Sequence, residues 1–433
     1  MMTEASSFTM LNYAKGALPL TIKRAFEQPF YRDFWGTPTY IEAVECFDDL
    51  PTIGKAELLR YEPVLDEDDV VRSISHSTGS SGLLSFRVRS DKEVALVRKF
   101  QRIVATHSNR LHANRRLRIV IPSAFHGQVD HGSNDLAYVN LACSLATEKF
   151  AANFVNMLNT GVPSYVLGGE ISAIGAGLLD AQVATRLVND IGLKTRLKQF
   201  ATFGGYLSRY WRQELEKTWG VTPLHSYSVS EISGGAIQCP KCGYLTFGPH
   251  TLANVQWKPR DTFQGRPVGR LNLTELLPYG YCQPLVKFDT GDLVQEIKKD
   301  DACCQEHEGG LRHLGRDSTS VWISDGDARQ LIIPSNDVHE LFDLPFLFRE
   351  PVYLQLSSLE NRDLLGPAKG SLDVRTSRLG HELIITTRFK NSCSSNPQSL
   401  KLRAEQIISH AASEFKIQVS IIEDCELLRS IPK

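Results

Sequence analysis

Ser77-Thr78-Gly79-Ser80-Ser81-Gly82 is the stretch on which the reading of this chain turns. It lies between two segments that read as extended, Val70-Val71-Arg72-Ser73-Ile74 and Leu84-Ser85-Phe86-Arg87-Val88. Glycines let a backbone curl with its N–H groups pointing inward, and neighbouring hydroxyls add donors, so such a loop can cradle phosphate oxygens. No Gly-Lys-Ser/Thr follows and no helix is predicted behind it, so this is not a Walker loop. Standing alone it reads first as a Ser/Gly-rich hairpin turn. Segments further along the chain decide between the two.

The chain has 433 residues, enough for two or more domains with sizeable cores. Its 48 basic and 49 acidic residues give a formal net charge of −1, which argues against a polyanion-binding protein held by bulk electrostatics. No nucleic-acid partner is expected. No N-terminal segment joins basic residues, an apolar run and a small-residue cleavage site, and nothing approaches 18 uninterrupted apolar residues. The nine cysteines, an odd number, fit a reduced cytosol better than a disulfide framework. A cytoplasmic protein without a membrane partner is the expectation.

Residues 1–60 read as mainly helical, punctuated by Pro29 and Pro51. From residue 92 the pattern alternates as in α/β layers. Helices are predicted over Glu93–Leu111, Asn134–Thr147, from Phe154 onward, over Leu178–Ile191 and over Ser208–Thr218. Strands are predicted at Leu117–Ile121, Gln199–Phe203 and Leu224–Tyr227. After Gly235 short β runs follow, at Tyr244–Phe247, Val255–Trp257, Arg270–Thr274 and Leu285–Phe288. A last α+β unit has strands at Tyr353–Leu356, Ser371–Val374 and Glu382–Thr387, a helix over Ser399–Phe415 and a strand over Ile417–Ile422. The best break falls near Arg316, giving units 1–316 and 317–433.

Six segments stand in one order along nearly the whole chain. They are Asp49-Leu50-Pro51-Thr52-Ile53-Gly54-Lys55 near the N-terminus, the Ser/Gly loop, Phe203-Gly204-Gly205-Tyr206-Leu207-Ser208, Ser226-Tyr227-Ser228-Val229-Ser230-Glu231, Phe288-Asp289-Thr290-Gly291-Asp292-Leu293 and Gly315-Arg316-Asp317. Together they resemble the phenylacetate–CoA ligase-like branch of the acyl-adenylate-forming, AMP-binding enzymes. The fourth looks like that superfamily's Tyr-Gly-Leu-Ser-Glu signature and the fifth like its Tyr-Arg-Thr-Gly-Asp-Leu signature. The resemblance implies an α/β fold: a large N-terminal adenylate-forming domain of layered α/β and β subdomains, with a small mobile α+β C-terminal domain.

The resemblance also implies roles. Activation of a small carboxylic acid puts negative charge on the phosphoryl group of ATP and on the departing pyrophosphate, so catalysis is mostly positioning plus cationic and N–H stabilisation. Ser77, Thr78, Ser80 and Ser81, with Gly79 and Gly82, would hold the phosphates, and Thr78 would serve catalysis. Gly204, Gly205 and Tyr227 would flank the adenine, Asp292 would accept the ribose hydroxyls and Arg316 would add a cation beside it. Glu231, next to Ser230, would ligate Mg²⁺, a hard cation that prefers carboxylate and phosphate oxygens. Arg429-Ser430-Ile431-Pro432-Lys433 has the spacing of the family's catalytic-lysine segment, which makes Lys433 the adenylation lysine. Phe125 and His126, which follow a buried strand, with Gly204 and Ser226 opposite, would line the acid. The acyl acceptor would be a thiol, coenzyme A first, or else an amine or a carrier protein in a biosynthetic pathway, with a homodimer as a further partner; the alternative to an enzyme is a degenerate ATP-binding scaffold.

The sequence departs from the family pattern in places. Leu83 stands where the phosphate loop usually has lysine, and Ser228 replaces a glycine. Asp317-Ser318-Thr319-Ser320 lacks the usual acidic pair of the hinge. A separate feature is Cys239-Pro240-Lys241-Cys242, a CxxC that presents two thiolates on a tight turn, with Cys303-Cys304, His250 and His307 downstream. A structural zinc held by Cys239, Cys242, Cys304 and either His250 or His307 is expected, with Cys304 preferred over Cys303 for its nearness to the downstream Gly-Arg.

Overall fold

The Arg209–Trp219 helix shows how local rules build this molecule. Ser208, in an extended conformation, accepts a hydrogen bond from the Trp211 N–H and starts the helix; Gly220, left-handed at φ 69°, stops it. Trp211, Leu215 and Trp219 fall on one face and are buried. They pack with Phe154 and Phe200 into the core behind a seven-stranded sheet, and the Trp219 indole N–H donates to Thr185 Oγ1 at 2.9 Å. Truncating a buried tryptophan to alanine costs about 3–5 kcal/mol; Trp219→Ala would undo this packing.

The structure, a computed structural model, describes residues 4–66, 70–76, 85–97, 99, 116–121, 138–145, 148–165, 168–195, 197–232, 235–300, 302–303, 307–343, 370–377, 380–387, 396–415 and 418–423. Its strands are β1 (Val71–His76), β2 (Phe86–Ser90), β3 (Arg116–Ile121), β4 (Tyr138–Ala142), β5 (Ile171–Gly177), β6 (Gln199–Phe203), β7 (Leu224–Ser228), β8 (Gly235–Gln238) and β9 (Leu245–Phe247). They continue with β10 (Thr251–Phe263), β11 (Arg266–Glu275), β12 (Phe288–Glu296), β13 (Leu311–Arg316), β14 (Val321–Asp325), β15 (Ala328–Ile333), β16 (Gly370–Ser377), β17 (Gly380–Thr387) and β18 (Gln418–Glu423). The seven-stranded sheet runs β4-β3-β5-β6-β7-β8-β9, parallel through β7 and antiparallel beyond it. Helices Leu178–Asp190 and Arg209–Trp219 are the crossovers from β5 to β6 and from β6 to β7.

A six-stranded sheet, β13-β12-β11-β10-β15-β14, stands beside it, antiparallel except where β15 meets β10. The N-terminal helices close one face: Ile22, Tyr31, Ile53 and Leu58 are buried with Leu271, Leu273 and Phe288. The buried Lys287 ammonium caps a 3₁₀ turn, donating to the carbonyls of Phe47, Asp48 and Leu50 at 3.1, 2.7 and 2.6 Å. A third core joins Ile323, Ile332 and Ile333 to Leu341, Leu383, Ile385, Ala404 and Ile408. The β14–β15 hairpin thus belongs to both sides of Arg316: it is hydrogen-bonded to β10 and packs Leu331 and Trp322 against Phe263, Val268, Leu293 and Leu314, while Ile323, Ile332 and Ile333 face the third core.

The mixed α/β architecture and most elements match the sequence expectation. Residues 134–147 do not: Tyr138–Ala142 is a strand, parallel to β3. A short apolar run has no periodicity that separates helix from strand, and the ladder with β3 decides it. The strand expected at Leu285–Phe288 begins only at Phe288, because Lys287 takes φ 53° and its N–H is bound by Thr274 Oγ1 at 2.9 Å. Tyr353–Leu356 lies outside the described residues.

Candidate active site and cysteine cluster

The parallel strands β6 and β7 end at their carboxyl edge in the two segments singled out from sequence, Gly204-Gly205 and Ser230-Glu231. Ligands of open parallel sheets bind at this edge. Gly204 and Gly205 take φ 72° and 130°, which side-chain-bearing residues rarely adopt, so the turn after β6 requires glycine. Glu231, 3 % exposed, accepts from Ser85 Oγ on one oxygen at 2.7 Å and from Ser230 Oγ on the other at 3.1 Å. Lys55 Nζ stands 3.7 Å from the Ser85-bound oxygen. Ser85 opens the descent into β2, so the hairpin that carries the Ser/Gly loop is tied to Glu231.

The base of the same hairpin is clamped by buried charge. Arg87 meets Glu275 at 2.5 Å, and Arg89 meets Glu275 at 3.3 Å and Glu93 at 2.8 Å. Arg87 also donates to the Gln283 carbonyl, and the Val88 N–H to Gln283 Oε1 at 3.0 Å. Burial pushes the Glu93 carboxyl up to about 7.

In the six-stranded sheet, β12 carries Asp292, 3 % exposed. Tyr227 donates its hydroxyl to Asp292 Oδ2 at 2.6 Å, and Arg316 Nε and His313 Nε2 lie 3.0 and 3.8 Å from Oδ1. Burial alone would raise this carboxyl; His313, Arg316 and Tyr227 outweigh it and hold it below the usual aspartate range. Arg316 also donates to the Thr290 carbonyl, and nearly half of its side chain stays exposed. Arg270 bridges Asp289 and Asp317, each at 2.8 Å, so the Thr-Gly-Asp turn and the Gly-Arg segment share one guanidinium. Gly315 is needed for another reason: a Cβ there would come within 2.7–2.9 Å of Ser335 and Asn336.

The cysteines form a second centre. Cys239, Cys242, Cys303 and His307 each place one ligand atom within 4.8 Å of all the others. The Cys239–Cys303 and Cys242–Cys303 sulfurs are 3.4 Å apart, and His307 Nδ1 is 3.1 Å from Cys242 and 3.3 Å from Cys303. Zn–S bonds of about 2.3 Å in a tetrahedron need sulfurs a little under 4 Å apart, so the donor set fits zinc. Tyr244 stacks on the His307 ring at 4.3 Å and orients it. Cys303 occupies the place expected of Cys304, which lies outside the described residues. His250 is not in the cluster: it is stacked on Tyr279 at 4.2 Å.

No family model matches this sequence, and no curated protein does either. Solved structures of similar fold exist. ATP-bound MatB from Rhodopseudomonas palustris is 12 % identical with a TM-score of 0.49, covering 81 % of this chain and 64 % of its own. The amide bond synthetase McbA from Marinactinospora thermotolerans is 13 % identical at 0.47, covering 81 % and 65 %. The anthranilate CoA ligase AuaEII in complex with anthranoyl-AMP is 10 % identical at 0.48, covering 82 % and 64 %. This chain therefore spans just under two thirds of the length of the structures it is similar to.

Gly204, Gly205, Ser226, Tyr227, Ser230 and Glu231 lie on β7 or in the turns after β6 and β7, and Asp292 and Arg316 lie on β12 and β13; the structure brings Tyr227, Asp292 and Arg316 into contact. Ser77, Thr78, Gly79, Ser80, Ser81, Gly82, Phe125, His126 and Lys433 lie outside the described residues. Sequence reasoning passed over Ser85, Lys55 and His313. Ser85 sits just past the loop and His313 three residues before Arg316, so proximity to a motif was the only signal available.

Proposed function

We propose that this chain activates a carboxylic acid with ATP, forming an acyl-AMP and pyrophosphate, and then transfers the acyl group, with coenzyme A as the first acceptor to test. The observation that carries the reading is the presence of two buried carboxylates, Glu231 just after β7 and Asp292 on β12, the second hydrogen-bonded to Tyr227 of β7. Glu231 is tied through Ser85 to the hairpin bearing the Ser/Gly loop, and Asp292 is held charged by Arg316 and Tyr227. A carboxylate kept ionised at 3 % exposure suits two ribose hydroxyl donors. Glu231 suits a hard divalent cation, and Mg²⁺ bound there would neutralise charge on the phosphates.

In this reading Ser77, Thr78, Ser80 and Ser81 bind the phosphates, Tyr227 and the Gly204-Gly205 turn border the adenine, and Lys433 supplies the adenylation cation. Phe125, His126 and Ser226 border the acid. The phenylacetate–CoA ligase-like branch rests on the order of the six segments. Residues 317–433 form the small domain in this reading, joined to the large unit through the β15–β10 pairing, and zinc on Cys239, Cys242, Cys303 and His307 has a structural role. Among the described residues no helix is long and apolar enough to cross a membrane.

ATP–pyrophosphate exchange over a panel of carboxylic acids tests the reading. At least one acid should drive Mg²⁺-dependent exchange, and added coenzyme A should then yield a thioester. No exchange with any acid, while ATP still binds, would overturn the activation step. Exchange without a thioester would move the acceptor to an amine or a carrier.

A further inference from the structure

Behind the Gly204-Gly205 turn lies a cavity of about 350 Å³, walled by the Arg209–Trp219 helix, the Cys239–Gly243 turn, β13 and residues 334–337. Four cations line it: Arg209, Arg212, Lys241 and Arg312. The only carboxyl among its lining residues is Asp337, which burial pushes up to about 6. Arg212 stands out among them. It is half-buried, donates one N–H to the Pro223 carbonyl at 3.2 Å and makes no ion pair among the described residues. Burial lowers its pKa from the ordinary value, whereas at Arg89 burial is outweighed by Glu275 and Glu93. The acidic groups near Arg212 are engaged elsewhere. Glu340 accepts from Tyr206, the Arg209 N–H and Arg403, Glu216 accepts from Thr222, and Cys239 belongs to the sulfur cluster.

A half-buried guanidinium without a counter-ion, facing a polar cavity with three further cations, is electrostatically incomplete. We propose that this cavity binds a phosphate-bearing anion, a phosphate or diphosphate group, through the Arg212 fork with Arg209, Arg312 and Lys241 around it. Guanidinium groups match phosphate oxygens bidentately, and a ligand of more than one negative charge balances the four cations against Asp337. The volume is at the lower end for small-ligand sites, about 300–1,000 Å³, which suits a phosphate group better than a whole dinucleotide. The anion has two possible sources, free diphosphate or the phosphate ester of an acyl acceptor. The site itself stands apart from the acid-activation reading.

Calorimetric titration of the full chain with inorganic pyrophosphate, and separately with ATP, is the test. Arg212→Gln should weaken pyrophosphate binding about tenfold or more, the loss of one charge-assisted hydrogen bond, while ATP affinity stays within about twofold. Arg212→Lys should fall between. Pyrophosphate binding unchanged in Arg212→Gln, or pyrophosphate and ATP weakened in parallel, would overturn the site. Should Arg212→Gln fail to fold, the exposed Lys241→Gln serves instead: it should weaken pyrophosphate about threefold and flatten the salt dependence, and unchanged binding there counts equally against the proposal. Displacement of pyrophosphate by 4′-phosphopantetheine would assign the anion to an acceptor; pyrophosphate binding that phosphopantetheine leaves untouched would assign it to free diphosphate.

Discussion

Asp292 carries a charge that its burial opposes, and that sets its behaviour in acid. An unfolded aspartate titrates near about 3.9, and the folded one titrates lower, so between the two values the unfolded chain binds more protons. Stability contributed by Asp292 is present above that range and lost as pH falls through it. In Asp292→Asn the difference in Tm between about pH 2.5 and about pH 5 should be smaller than in the native chain; an equal difference would show that the carboxyl is not depressed. The same substitution should weaken ATP binding by about 1.5–3 kcal/mol in calorimetry, the loss of a charged hydrogen-bond acceptor. Glu231→Gln should lower exchange by about 10² or more, since metal stabilisation of phosphoryl charge is worth several kcal/mol. Native-like exchange in that variant would remove Glu231 from the site. Asp292 and Glu231 were legible because each closes a short motif. Ser85 and His313 were not, because a serine leaving a loop and a histidine on a strand acquire meaning only when the fold sets them against a carboxylate.

At the scale of elements, the β1–β2 hairpin and the cysteine turn are each fastened by residues far away in sequence. Glu275, fully buried between Arg87 and Arg89, holds the hairpin to the end of β11. Glu275→Ala leaves the buried Arg87 guanidinium without a carboxylate and Arg89 with Glu93 alone, and should cost about 3–5 kcal/mol by urea unfolding, whereas the double variant Arg87→Met, Glu275→Leu should recover much of it. The sequence showed the hairpin's two extended segments but not this pair, since 188 residues separate its members. For the cysteine turn, protein purified without added metal should contain about one zinc per chain, and Cys239→Ser should lower both zinc content and Tm. Zinc-free protein of unchanged stability would leave the cluster without a metal. The CxxC gave two donors away by spacing alone. The choice of Cys303 over Cys304 was not legible, because spacing alone does not tell which member of an adjacent pair joins the CxxC.

At the scale of the whole molecule, Glu340 joins the parts. Its carboxylate accepts from the Tyr206 hydroxyl at 3.0 Å and the Arg209 N–H at 2.9 Å, and Arg403 approaches it at 3.2 Å. The turn after β6 is thereby linked to the Asn396–Phe415 helix. Glu340→Ala should raise amide hydrogen exchange in β16 and β17 while leaving β5 and β6 unchanged; equal protection throughout would show that the link contributes nothing. The alternation of strands and helices made the layered α/β sheet legible, and composition marked the change of character after Gly235. The joint near Arg316 was harder to read. A boundary drawn from composition assumes that contacts break where the character of the sequence changes, and the β14–β15 hairpin is bonded to β10 and packed on both sides of it.

That hairpin is also where the molecule would give way under load. β15 meets β10 through two residue pairs, Asp261 with Arg329 and Thr262 with Gln330, reinforced by the ion pair between Asp261 and Arg329, whereas β10 and β11 share ten. Tension applied from the C-terminal side would therefore be shared between this two-pair seam, the Leu331 and Trp322 packing beside it and the Glu340 contacts. The backbone seam is the shortest of these, so the hairpin's hydrogen bonds would have little reserve once the side-chain contacts let go.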